Sequence, residues 1–144
     1  MPVLAALTAL SGCGYKPIER SVEERIATTG GESVYVKRLS RGVSYDVMWI
    51  SASSGVCSLP SQGEDIVFPM EAATEPLYYR LEDDGSIRLF LYGVLNIPLH
   101  FPVTIKQDPV HPKDWSRIQY LYERGEIRRL ELKIPSVDPC MFRW

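Results

Sequence analysis

Histidine is scarce in this sequence, and so are the constellations it usually serves. The two histidines, His100 and His111, have no partner at metal-ligand spacing. The small-residue run Ser54-Gly55-Val56-Cys57-Ser58 lacks the G-x-S-x-G of a nucleophile elbow. Alternating acidic oxygens of a calcium loop are absent. The acidic pairs Glu64-Asp65 and Asp83-Asp84 read as a solvated loop and a turn. Basic charge is not in surplus either: 16 Lys and Arg stand against 18 Asp and Glu, for a formal net charge of −2. Binding a phosphate backbone calls for a positive excess, so nucleic acid is not expected as a partner. There is no run of about 18 apolar residues of the kind that spans a bilayer as a helix. Repeats and low-complexity segments are absent. What remains is ordinary for a folded chain: 144 residues, 45% hydrophobic and 24% charged, enough for one core. No metal, cofactor or catalytic group is expected, and the chain reads as a non-enzyme.

Charge is missing again at the start. Met1 to Gly12 carries none, and Val3 to Leu10 is apolar apart from Thr8. Small residues follow, which is the layout of a signal-peptide core and cleavage region. The segment Leu10-Ser11-Gly12-Cys13 resembles the lipobox of bacterial lipoproteins. That resemblance implies cleavage after Gly12, a lipid thioether on Cys13 and acylation of the new amine, as with palmitate. Small side chains at Ser11 and Gly12 let the peptidase approach the backbone. The Cys13 thiol is the nucleophile that accepts the lipid. Signal peptides open with Lys or Arg, whereas the first basic residue here is Lys16; a start upstream of Met1 is therefore expected. Gly14 follows the cysteine, and by enterobacterial-type sorting it leans toward the outer membrane, with the domain in the periplasm.

Lipidating Cys13 leaves two cysteines, Cys57 and Cys140. An even remainder in an exported protein reads as a disulfide. It would close a loop of roughly 80 residues and stabilise by about 4 kcal/mol on the chain-entropy model. Two free buried thiols are the alternative. A catalytic Cys57 is a third reading, but it has no nearby His or basic cluster to lower its pKa.

Three segments follow: a signal peptide over 1–12, a lipidated tether or short helix over 13–32, and one β-rich domain over 33–144. Ile18, Val22 and Ile26 fit one stripe of a helix. From Ser33 the period is two. Val34 and Val36 form one strand; Val43, Tyr45, Val47 and Trp49 form the apolar face of the next, opposite a wet face. Ser51 to Asp65 is a long loop, and Ile66 to Phe68 a short strand. Leu77, Tyr79 and Leu81, then Asp83-Asp84-Gly85, then Ile87, Leu89 and Leu91 make a hairpin. Phe101, Val103 and Ile105 suggest an edge strand, because Pro102 donates no hydrogen bond. Asp108 to Pro112 is a Pro-rich loop. Residues 114–124 fit a strand better than a helix, although Trp115, Ile118 and Tyr122 also match helical spacing. The fold expected is mainly β, an antiparallel sandwich or small barrel with one short N-terminal helix at most.

Tyr78, Phe90 and Tyr92 lie opposite the apolar face of the hairpin and are the candidate interface. The terminal Phe142-Arg143-Trp144 resembles the end of an outer-membrane barrel, but charged outer strand faces exclude lipid contact. The function expected is a non-enzymatic, membrane-anchored periplasmic lipoprotein that binds a protein in the cell envelope. It is similar in outline to lipoproteins that inhibit cell-wall hydrolases, or to immunity proteins, which plug a loop into an enzyme's cleft. The Ser51–Asp65 and Asp108–Lys113 loops are the candidates for that plug. A structural subunit of an envelope or secretion complex and a small-molecule or lipid carrier are the alternatives.

Overall fold

The computed structural model describes residues 19–41, 45–55, 57–69 and 76–134. Cys13, Cys140 and the terminal aromatics lie outside them. Four strands form the first sheet, in the order β1 (Glu19–Ala27), β2 (Ser33–Arg41), β3 (Tyr45–Ser51) and β4 (Ile66–Val67), each antiparallel to its neighbour. The second sheet has β5 (Leu77–Leu81), β6 (Ile87–Leu91), β7 (Ile105–Pro109) and β8 (Arg128–Leu130), in the order β7-β6-β5-β8. One helix, α1 (Trp115–Glu123), follows a short 3-10 turn at Pro112–Asp114.

The two sheets stack as a sandwich and not as a barrel. Val34, Val36, Met48, Ile50 and Ile66 from the first sheet meet Leu77, Ile87, Leu89 and Leu91 from the second, all buried. Register explains the choice of face on β3: Val36 pairs with Ile50, so Met48 and Ile50 share the core side. This corrects the expectation that Val47 and Trp49 face the core. Trp49 is nonetheless buried, on the opposite side. Arg38 ties the layers together. Its Nε and Nη2 donate to the Asp46 carboxylate at 3.0 and 2.6 Å, and its Nη1 donates to the Leu132 carbonyl at 2.7 Å.

Two further elements depart from the sequence reading. Residues 19–27 are a strand paired with β2 along their whole length, not a tether or helix. The four-residue spacing of Val22 and Ile26 fits either period, and the β-branched side chains suit a pleated, half-buried surface. Residues 115–123 are a helix, not a strand. Ile118 is buried against Tyr78, Phe90, Val110 and Ile127, with Trp115, Leu121 and Tyr122 packed around them. The helix is thus a third layer on the outer side of the second sheet. The edge strand expected on Phe101, Val103 and Ile105 is displaced: residues 101–104 are still crossover, and β7 starts at Ile105, runs to Pro109 and is parallel to β6. A parallel neighbour needs a long crossover, which Tyr92–Thr104 supplies.

At the hairpin tip, Gly85 has φ +86° and its N–H donates to the Glu82 carbonyl at 3.1 Å. Asp84 is fastened there. It accepts from Lys106 Nζ at 2.8 Å, from Ser86 Oγ at 2.5 Å and from Ser86 N–H at 3.0 Å. Lys106 first, then Ser86, hold its carboxyl well below the usual Asp range. A lowered folded-state pKa stabilises above the unfolded value. The contribution is complete above about pH 4 and is lost as pH falls through the lowered value. Lys106→Gln should therefore move the Asp84 carboxyl titration upward in a carboxyl-resolved NMR titration. An unchanged midpoint would show that Lys106 does not set it.

Candidate functional site: two pinned loops

The first loop, residues 52–65, leaves the end of β3 and turns back over the outer side of the first sheet. Crossing from β3 to β1 spans two strand spacings, about 10 Å, a distance three or four extended residues cover. At that point Ser54 Oγ and Gly55 N–H donate to the Glu23 carboxylate at 2.9 and 2.8 Å. Glu23 is also paired with Lys37 Nζ at 3.6 Å, and the Lys37 side chain is only 4% exposed. Glu23, Lys37 and Trp49 are neighbours in register on one face. On β2 this is the side opposite Val34 and Val36, yet Leu39 and Lys37 are buried there together with Trp49.

Two more fastenings follow along the loop. Cys57 is disulfide-bonded; the expected pairing with Cys140 falls outside the described residues. The Asp65 carboxylate accepts from Ser61 N–H at 2.8 Å, while Asp65 N–H donates to the Ser61 carbonyl at 2.9 Å. Between these points Leu59 is 54% exposed. A large aliphatic side chain is thus held in water by a loop fixed on both sides of it.

The second loop is the crossover Tyr92–Thr104. Gly93 has φ +98°, and a Cβ there would fall 2.7 Å from Pro69 Cγ, so only glycine fits. The Gln107 amide clamps the chain on both sides of the next residue. Its Nε2 donates to the Gly93 carbonyl, and its Oε1 accepts from Leu95 N–H at 3.0 Å. Leu95 and Val103 are buried, and Ile97 and Phe101 pack on the same core. Val94 and Leu99 are left outside, 88% and 97% exposed. Tyr92 stands edge-on to the His111 ring with centroids 6.2 Å apart.

Of the three expected interface aromatics, Tyr92 is exposed, whereas Tyr78 and Phe90 are buried beneath α1. Tyr78 makes tilted and edge-on contacts with Trp115 and Tyr122, at 6.0 and 5.9 Å. The helix covers the second apolar face of the hairpin, so these two are core. The Asp108–Lys113 segment is not a protruding loop. Asp108 and Pro109 belong to β7, and His111 caps the 3-10 turn, accepting from Lys113 N–H at 3.4 Å. His100 is exposed on the crossover. Among the described residues no group of three metal-ligating side chains occurs, and no helix is long and apolar enough to cross a membrane.

A small cleft is lined by Met48, Phe68, Leu77, Phe90, Leu91 and Trp115. Its volume, about 10 Å³, is room for one water, far below the several hundred Å³ of a ligand pocket. Sequence reasoning found the first loop from its Ser, Gly and Pro content. It missed Val94 and Leu99, which precede the strand pattern Phe101, Val103, Ile105 and carry no local signal that separates an exposed aliphatic side chain from a buried one. No family model, no curated protein and no solved structure matches the chain.

Proposed function

We propose that this is a lipid-anchored protein of the bacterial cell envelope that acts by binding another protein, with the loop 52–65 as the contact. The observation that carries this reading is the loop's fastening. Glu23 holds Ser54 and Gly55, a disulfide holds Cys57, and Asp65 holds Ser61, leaving Leu59 outward. A pre-formed loop loses little conformational freedom on docking, so its contacts go into affinity. Rigid loops on a β-scaffold are a common means of recognition. The partner's chemistry follows from the side chain: a cleft that accepts one aliphatic group. An inhibitor or immunity-type role suits this geometry.

The anchor rests on Leu10-Ser11-Gly12-Cys13, and Gly14 favours the outer membrane with the domain in the periplasm. The test uses the full chain in its native envelope, with a photo-crosslinking amino acid in place of Leu59 or, as a control, of Glu131. We expect one discrete crosslinked protein at position 59 and none at 131. Leu59→Asp should abolish co-purification of that protein. Equal labelling at both positions would refute the loop as the contact. Cys13→Ser should move the chain to the soluble fraction; retained membrane association would refute the anchor.

A further inference from the structure

We infer that the Tyr92–Leu99 segment is a membrane-docking surface that rests in the interfacial layer of the bilayer holding the lipid anchor. The inference rests on the lipid-anchor reading of Cys13. Three observations carry it.

First, the segment is apolar, uncharged and rigidly displayed. No Asp, Glu, Lys or Arg occurs between Tyr92 and Thr104. Val94 and Leu99 are almost fully exposed, and Tyr92 is 42% exposed. Large exposed aliphatic groups without charged neighbours are costly in water and gain on entering lipid. The Gln107 clamp and the Gly93–Pro69 contact fix the base of the loop, so Val94 is presented and does not collapse onto the domain.

Second, the segment begins at the anchored end of the sandwich. The turns at Thr29–Gly30 and Glu82–Gly85 meet at one end, where Thr29 Oγ1 donates to the Glu82 carbonyl at 2.7 Å. β1 finishes and β6 begins at that end. The start of β1 and the end of β6 therefore lie at the other, where Gly93 touches Pro69. The lipid-bearing residue would be joined to that same end.

Third, the tether is short. Cys13 precedes Glu19 by six residues, which reach at most about 20 Å when fully extended. Acyl chains on Cys13 thus keep this end of the domain close to the headgroups. Docking then needs only a tilt of the domain, and the loss of freedom has been largely met by the anchor. The loop 52–65 leaves β3 from the far end, so Leu59 stays available to a partner while Val94 faces lipid.

The full lipidated chain is reconstituted in phosphatidylethanolamine–phosphatidylglycerol vesicles that include nitroxide-labelled lipid. An environment-sensitive fluorescent amino acid replaces Val94 in one sample and Asp83, at the far end, in another. A docked side chain sits about 5–10 Å into the headgroup boundary, so quenching at 94 should exceed that at 83 by about threefold or more. Leu99→Asp should reduce quenching at 94 while the protein still floats with the vesicles. Equal quenching at 94 and 83 in protein that floats would overturn the docking surface and leave the anchor standing. Protein that does not float would overturn the anchor and the docking together. A blue shift at 94 that appears only with envelope extract, without lipid quenching, would assign the surface to a protein and overturn the inference.

Discussion

Glu23→Ala should lower stability by about 2–3 kcal/mol, less than the ~3–5 kcal/mol of a fully buried ion pair, because the Glu23 carboxylate and its bonds to Ser54 and Gly55 are partly in water. The reason is Lys37. Its side chain is 4% exposed, and its ammonium faces the Glu23 carboxylate, itself 16% exposed, at 3.6 Å. Deleting the carboxylate strands a positive charge under the loop 52–65, away from water. It also releases Ser54 Oγ and Gly55 N–H, which lose their acceptor. Whole domains of this size are stable by only about 5–15 kcal/mol, so the change takes a large share. Removing both charges is a different matter. In Glu23→Ala/Lys37→Met the buried site becomes apolar, and such replacements are often neutral or stabilising. The double variant should therefore be more stable than Glu23→Ala alone, by urea denaturation with unchanged m-values. If Glu23→Ala lies within about 1 kcal/mol of the parent, water reaches Lys37 and the loop is not sealed over it. The same comparison bears on binding, because Glu23 is one fastening of the Leu59 loop.

The burial of Lys37 illustrates what was legible in the chain and what was not. Strand positions were readable, because Val34/Val36 and Leu89/Leu91 alternate with residues that point away from the core. The Asp83-Asp84-Gly85 turn was readable because positive φ favours glycine. Which face of a strand is buried was harder. On β3 the residues Val47 and Trp49 looked like the core face, and cross-strand register placed Met48 and Ile50 there instead. A one-residue change of face is the natural error when both faces are covered. A buried lysine cannot be read from alternation, since a charge opposite an apolar face signals water. The clue was Leu39 and Trp49 on that same face. For β1, the four-residue spacing of Val22 and Ile26 is shared by helix and strand. For α1, the tie was broken by tertiary contact: Tyr78 and Phe90 gave the hairpin a second apolar face that needed a cover. Of the candidate site, the pinned loop could be located but not its fastenings. Glu23 is more than 30 positions from the residues it holds, and no local pattern reports such a pairing.

Phe90→Ala should cost about 3–5 kcal/mol, as expected for deleting a large buried ring, and should loosen α1 from the sheet. Phe90 is 2% exposed and sits between β6 and the helix, in one cluster with Tyr78, Ile118 and Ile127. Arg80 stands over its ring, with Cζ 5.8 Å from the centroid. Little can collapse into the space. The β5–β6 pairing fixes the floor, and α1 rests on it through Ile118, Trp115, Leu121 and Tyr122, its last turn closed by Arg124 and Gly125 N–H groups donating to the Tyr120 and Tyr122 carbonyls. Loss of the ring removes apolar burial on both the sheet and the helix. Limited proteolysis should then cut within 115–125 in the variant and spare the parent. Tyr92→Ala is the comparison, because the same hairpin face continues into it. That ring is 42% exposed and touches His111 edge-on, so its loss should cost about 1 kcal/mol or less. The contrast assigns each aromatic its role: Phe90 is the support under the helix, and Tyr92 is the start of the exposed crossover surface. Equal, small effects at both positions would mean that α1 does not hold the second face of the sheet. In that case Tyr78 and Phe90 would return as surface residues.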